Sequence, residues 1–230
     1  MISVAMTKIV IPPHYASALP TPKSLAALKQ TDPVIVSASS PLHRAAWNPG
    51  SVLPLVAEKF YRFGPPDDAV AAKKPPPYWW LYIADVVMTC IYEAGFCAHD
   101  KSHRGHFYIP SGAVENGQIA SFVFPADLRL LDLRGETAFN MGIYDLLSHP
   151  NHEWCQWFAY QLVKAGFFTG RVAFHGILYS SRKNRGKDAI ALFSEYVNHV
   201  RSEIQHKTVA FKKTAEYKEL KRSKFLIPAP

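Results

Sequence analysis

An α+β fold is what this chain of 230 residues predicts. Three observations lead there. Short strand-like apolar runs ("WWLYIA", "IASFVF", "LRLLDL", "HGILYSS", "DAIALFS") and helical periodicities follow one another without the regular βαβ alternation of a doubly wound sheet. Neither a GxGxxG loop nor a Walker loop is present, so the common phosphate-cradling turns of parallel α/β folds are missing. With 48% hydrophobic and 19% charged residues, the composition is that of an ordinary globular chain long enough to bury one large core or two small ones.

The elements can be justified in order. Pro12, Pro13, Pro20, Pro22 and Pro33 interrupt residues 1–41, which should form an extended arm with one short helix near "PKSLAALKQ". "GPPDDAVAAKKPPPYWW" is a second proline-rich break, expected as a surface loop that leads into a strand at "WWLYIA". Asp85 is placed to cap a helix from Val86 to Phe96. "IASFVFPADLRLLDL" reads as two short strands about Pro125. Asn151 can cap a helix through "HEWCQWFAYQLVKAG", in which Cys155, Phe158, Ala159 and Leu162 recur at helical spacing and Gly166 supplies the stop. "HGILYSS" and "DAIALFS" are strands joined by the basic turn "RKNRGK", and the remainder is a basic, helix-rich tail.

Charge and cysteine content narrow the setting. Cys90, Cys97 and Cys155 form neither an even disulfide set nor a paired CxxC metal motif, which points to a reducing, cytoplasmic environment. Lys8, Pro12 and Pro13 break the amino-terminal apolar stretch before a secretory segment could form, and no run approaches the roughly 18 uncharged residues of a membrane span. A net charge of +8 admits nucleic acid, an anionic surface, a phosphorylated small molecule or an acidic protein. Much of that charge lies in "HVRSEIQHKTVAFKKTAEYKELKRSKF", where a solvated helical face is the first explanation.

Candidates for chemistry are few. Glu93 is a lone carboxylate on an apolar helix beside Ile91, Tyr92 and Phe96, costly to bury unless paired or set at a cavity. Tyr82, at the end of the preceding strand, could stack on a planar ligand or serve the core. Arg44 in "LHRAAW" and Arg62 in "FYRFGPP" lie among aromatic and apolar residues, where a guanidinium forks onto phosphate or carboxylate oxygens or makes a structural ion pair. Ser180 and Ser181 close the strand "GILYSS" and could donate hydroxyl hydrogen bonds; without GxSxG around them a serine hydrolase is not indicated. His99, His103 and His106, with Asp100 between, look like a ligand cluster but lie in a Ser/Gly/Lys-rich stretch without an HExxH core, so a polar loop and no metal are expected.

In this order, "LHRAAW", "FYRFGPP", "LYIADVVMTCIYE" and "GILYSSR" resemble the RES-domain family, named for its Arg, Glu and Ser, whose members include toxins of bacterial toxin–antitoxin pairs. The resemblance runs over residues 42–195, leaving residues 1–41 as an arm and 196–230 as a basic extension. Many members carry Gly-Gly-Arg-Trp-Asn where this chain has "YRFGPPDDA", so Arg44 and Arg62 both stand for the family arginine, and the family's Tyr-x-Ser spacing favours Ser181 over Ser180. The resemblance implies an ADP-ribosyltransferase-like mixed sheet with flanking helices, and an enzyme that cleaves the nicotinamide glycosidic bond of NAD with inorganic phosphate or water as acceptor. NAD would be its substrate, with no resident cofactor. It also implies a cognate antitoxin as partner, with no membrane and no nucleic acid except through that partner. Glu93 would stabilise the ribosyl cation, Tyr82 would stack on nicotinamide, and Arg44 or Arg62 would hold phosphate oxygens. Ser180 or Ser181 would hydrogen-bond ribose or phosphate. Three other readings stand beside this one: a mono-ADP-ribosyltransferase, a non-catalytic basic nucleic-acid-binding protein, and an inactive relative that only binds.

Overall fold

The computed structural model describes residues 10–57, 61–70, 76–170 and 173–230. Its strands in chain order are β1 (Val34–Val36), β2 (Leu42–Ala46), β3 (Trp80–Ile83), β4 (Ala98–His99), β5 (Phe107–Tyr108), β6 (Gln118–Val123), β7 (Leu128–Asp132), β8 (Gly176–Ser180), β9 (Asp188–Phe193) and β10 (Gln205–Ala210). The helices are α1 (Pro13–Ala16), α2 (Pro22–Leu28), α3 (Val87–Ala94), α4 (Ser111–Asn116), α5 (Gly135–Asn140), α6 (Tyr144–Ser148), α7 (Glu153–Lys164), α8 (Ser194–Val200) and α9 (Ala215–Lys221). The fold is α+β. Five strands order as β1-β7-β8-β9-β3, three as β10-β6-β2, and β4 and β5 form a small hairpin. All pairs are antiparallel except β7 with β8.

The period of two along the strands decides how these layers stack. Leu81 and Ile83, Leu128 and Leu130, Leu178, and Ile190 and Leu192 leave one face of the larger sheet and meet Leu42, Ala120 and Phe122 of the smaller one. Trp80, Ile177, Tyr179, Ala189, Ala191 and Phe193 leave the other face and pack on α7. The α7 residues that meet them include Cys155, Phe158, Ala159 and Leu162, all fully buried, so the helical spacing seen in the sequence is the seam of this contact. A backbone bridge between His43 and Ala84, at 2.7 and 2.9 Å, stitches the two sheets together where β3 passes into α3. That junction positions the site described below.

Several local expectations hold and several are revised. The break at Pro125 separates β6 from β7, and each joins a different sheet. Asn151 caps one residue early: its Oδ1 accepts from the Glu153 N–H at 2.9 Å, while His152 occupies the N-cap position. Asp85 does not cap α3, because the helix begins a residue later, with Val86 at its N-cap and no side-chain bond there. The tail is not purely helical. β10 pairs with β6 along six residues, from Gln205↔Val123 to Ala210↔Gln118. Nearly all its side chains are exposed, so no apolar alternation marks it in sequence, and the main-chain ladder holds it. In the arm, β1 adds to the edge of β7. Thr21 caps α2 through the Ser24 N–H at 3.2 Å. Lys29 and Gln161 then tie α2 and the loop before it to α7, each by a 2.9 Å bond, to the carbonyls of Ala165 and Pro20. Part of the expected loop "GPPDDAVAAKKPPPYWW", residues 71–75, lies outside the described residues, as does the start of the arm, residues 1–9. Among the described residues no helix is long and apolar enough to cross a membrane.

Candidate active site

Helix α3 has eight residues and ends where Gly95 takes a left-handed conformation at φ 76°. The N–H groups of Gly95 and Phe96 turn back onto the carbonyls of Tyr92 and Ile91 at 3.0 Å each, which fixes the stop one residue after Ala94. Thr89, Cys90 and Ile91 face inward. Glu93 occupies the last turn, half-buried. Its Oε1 accepts a 2.6 Å hydrogen bond from the hydroxyl of Ser181, which is only 5% exposed. The carboxylate that looked costly on an apolar helix is therefore partnered, by the serine that the family spacing favours.

The β8–β9 loop brings that serine into place. The Ser181 N–H bonds to the Lys187 carbonyl at 2.8 Å and the Lys187 N–H to the Asn184 carbonyl at 3.1 Å, while Gly186 supplies a positive φ of 76°. Closed on itself in this way, the loop reaches α3 at further points. Lys183 donates to the Glu93 carbonyl at 3.2 Å, and the Asn184 side-chain amide donates to Thr89 Oγ1 at 2.8 Å.

Tyr82 and Arg62 approach from the other side. Alternation along β3 sends Trp80 and Tyr82 toward the α7 layer. The Tyr82 hydroxyl accepts the Phe63 N–H at 3.0 Å, and its ring meets Tyr61 edge-on with centroids 5.8 Å apart. Burial pushes the Tyr82 phenol well above its ordinary pKa; the Phe63 N–H and the charge of Arg62 oppose this, and the Glu93 charge adds to it. The phenol is therefore neutral, within electrostatic reach of both Arg62 and Glu93. Arg62 itself is buried and donates to the Leu147 carbonyl at the end of α6.

His152, at the start of α7, feels the same groups. Burial lowers its pKa, the positive charges of Arg62, Arg182 and Lys183 lower it further, and Glu93 pulls the other way. Three cations thus surround one carboxylate. Each gives a hydrogen bond to a main-chain carbonyl: Arg62 to Leu147, Arg182 to His149 at 3.3 Å, and Lys183 to Glu93. Among the described residues none of the three forms an ion pair with a carboxylate. The site is net positive, so it suits an anionic ligand that carries a cationic or polarisable centre to Glu93.

The structure thus brings together Arg62, Tyr82, Glu93 and Ser181. Arg44 is half-buried, and two of its guanidinium nitrogens, Nε and Nη1, donate to the main-chain carbonyls of Ser51 at 3.2 Å and Tyr82 at 3.0 Å. Through the Tyr82 carbonyl it braces β3. Ser180 is exposed, and it lines a separate open depression with Asp132, Arg134, Glu136, Thr137 and Asp188. In the histidine-rich segment, His103 bonds Asp100 at 3.0 Å, and among the described residues no three His, Cys, Asp or Glu side chains are grouped to hold a metal. Sequence reasoning missed Thr89, His152, Arg182, Lys183 and Asn184. The basic turn "RKNRGK" contained three of them, and its position directly after the candidate serines was the available signal.

The model of the RES domain matches residues 57–213, well over half of the chain. A solved chain from the M. tuberculosis MbcT–MbcA toxin–antitoxin complex superposes with a TM-score of 0.55 at 15% identity, over 88% of this chain and 99% of that one. A comparison with curated proteins gives no match.

Proposed function

The chain belongs to the RES-domain family, and from that premise we propose that it is a toxin-type enzyme that cleaves the nicotinamide glycosidic bond of NAD, with inorganic phosphate or water as acceptor. The observation that carries this reading is the Ser181–Glu93 hydrogen bond, 2.6 Å long, with Arg62, Arg182 and Lys183 near it and, among the described residues, none of the three in an ion pair with a carboxylate. Loss of nicotinamide builds positive charge on the ribose carbon, and a fixed carboxylate stabilises that charge more in the transition state than in bound NAD. Glu93 supplies the carboxylate. Ser181 holds its rotamer and keeps a lone pair for a ribose hydroxyl.

Tyr82 offers a neutral ring to the nicotinamide. Its hydroxyl is held by the Phe63 N–H, so the ring does not turn freely. Arg62, aided by Arg182 and Lys183, faces the pyrophosphate or an attacking phosphate. Arg44 acts one step back, holding the backbone of Tyr82. A depleting enzyme of this kind requires restraint in its host, and we propose a cognate antitoxin that closes the cleft; the solved relative was crystallised as a toxin–antitoxin complex.

The test is NAD turnover by the purified chain, with products separated by chromatography in the presence and absence of phosphate. Phosphate-dependent release of nicotinamide with a phosphorylated ADP-ribose product supports phosphorolysis, and phosphate-independent release supports hydrolysis. Label from NAD retained on protein or nucleic acid replaces both with ADP-ribosyl transfer. No consumption of NAD by folded, partner-free protein refutes the proposal.

A further inference from the structure

We infer that Asn184 and Thr89 are positioning residues that lock the catalytic carboxylate by a two-point grip of the β8–β9 loop on α3, an inference that rests on the NAD-cleaving reading of Glu93. The first point of the grip follows from proton accounting. A serine hydroxyl has one proton and two lone pairs. The main-chain N–H of Asn184 fills one lone pair of Ser181 at 3.0 Å, and the ionised carboxylate can only accept, so the proton lies on the 2.6 Å line to Glu93. One lone pair is left for substrate. The loop backbone at Asn184 therefore orients the hydroxyl that orients Glu93, and the Asn184 side chain serves this point by holding the loop against α3 through Thr89.

The second point lies about one helical turn away. Thr89 precedes Glu93 by four residues, so the two side chains share a face of α3, about 6 Å apart along the axis. Thr89 is completely buried, yet its hydroxyl is a polar group that must be satisfied; Asn184 Nδ2 does so at 2.8 Å. Cys90, whose thiol donates to the His43 carbonyl at 3.0 Å, and Ile91 hold the core side of α3, and the two loop contacts a turn apart hold the side that carries Glu93. The helix needs that restraint. It has eight residues and no side-chain N-cap, and a helix so short holds its geometry through tertiary contacts. Lys183, bonded to the Glu93 carbonyl at 3.2 Å, extends the same grip to the main chain.

The test compares Asn184→Ala, Thr89→Val, their combination and Thr89→Ser, each with kcat, KM for NAD and Tm measured beside the unmodified chain. Thr89→Val preserves shape while removing the acceptor, and Asn184→Ala lies in a loop, so both should fold. Each is expected to lower kcat about tenfold, since displacement of a reacting group by an ångström costs up to about a hundredfold, with KM within about twofold. The double variant should lose no more than the worse single one, because both remove the same bond. Thr89→Ser, which keeps the hydroxyl, should retain kcat. Unchanged kcat in Asn184→Ala, losses that multiply in the double variant, or a Thr89→Ser enzyme as slow as Thr89→Val would overturn the inference while NAD cleavage by the unmodified chain stands. Failure of the unmodified chain to consume NAD removes the reading and the inference together.

Discussion

Replacing Glu93 by glutamine isolates the charge of the carboxylate from everything else it does. The amide oxygen of glutamine still accepts from Ser181, so the 2.6 Å contact and the packing of the last turn of α3 survive the change. What is lost is one negative charge in a site that otherwise holds Arg62, Arg182 and Lys183. At about 4 Å, with an effective dielectric constant of about 20, the attraction between that charge and a full positive charge is about 4 kcal/mol. Bound NAD carries only part of this charge at the reacting carbon, and the transition state carries most of it, so nearly the whole difference falls on kcat. The expected loss is about a thousandfold, with KM little changed. Steady-state release of nicotinamide by the purified variant, with thermal unfolding to confirm its fold, is the assay. A variant that keeps more than about a tenth of the original kcat would show that the carboxylate does not meet developing charge, and the assignment of Glu93 would fall with it.

Three further outcomes follow from neighbouring residues. Ser181→Ala removes a hydrogen bond to a charged group, worth about 1.5–3 kcal/mol, so kcat should fall by about ten to a hundredfold, whereas Ser180→Ala, at an exposed position, should leave turnover unchanged. Arg44→Met strips donors from the carbonyls of Ser51 and Tyr82; each orphaned group costs about 1–3 kcal/mol, so Tm should fall by several degrees while KM for NAD stays within about twofold. Arg134→Met probes acid stability. Burial pushes the Asp132 carboxyl up, but hydrogen bonds and charge from Arg134 outweigh it and hold the group below its ordinary pKa. The unfolded chain then binds more protons than the folded one as pH falls, so this contribution is present above the ordinary carboxylate range and is lost on acidification through it. Arg134→Met should therefore lower Tm at about pH 7, and the gap to the unmodified chain should narrow once the pH falls below about 4.

Much of the fold was legible because it rests on patterns that sequence carries directly. Cys155, Phe158, Ala159 and Leu162 mark the buried seam of α7, and the apolar runs of β3, β7, β8 and β9 mark strands enclosed on both faces. The elements that escaped are those whose stability comes from elsewhere in the chain. β10 exposes nearly every side chain and exists because β6 offers it a ladder, a partner more than eighty residues away. The start of α3 was misjudged for a related reason: capping chemistry favoured Asp85, but the bridge of Ala84 to His43 holds the preceding residue in the sheet. Local propensity does not register either constraint.

The site divides along the same line. Glu93 and Arg62 stood out because a charged residue amid apolar neighbours is costly, and cost is visible in a single segment. Arg44 stood out on the same ground, and it donates to two main-chain carbonyls, so anomaly in sequence marks a constraint without saying whether the constraint is catalytic or structural. Asn184, Lys183 and Arg182 gave the opposite signal. In a turn of basic and polar residues they look like ordinary solvent-facing side chains, and only the folded loop sets Lys183 on the Glu93 main-chain carbonyl, Asn184 on Thr89 and Arg182 on the His149 carbonyl. Residues that make chemistry possible by holding others in place need not look unusual where they stand. They are found from the hydrogen bonds that end on an anomalous residue, and here those bonds lead from Glu93 to Ser181 and from Ser181 to Asn184.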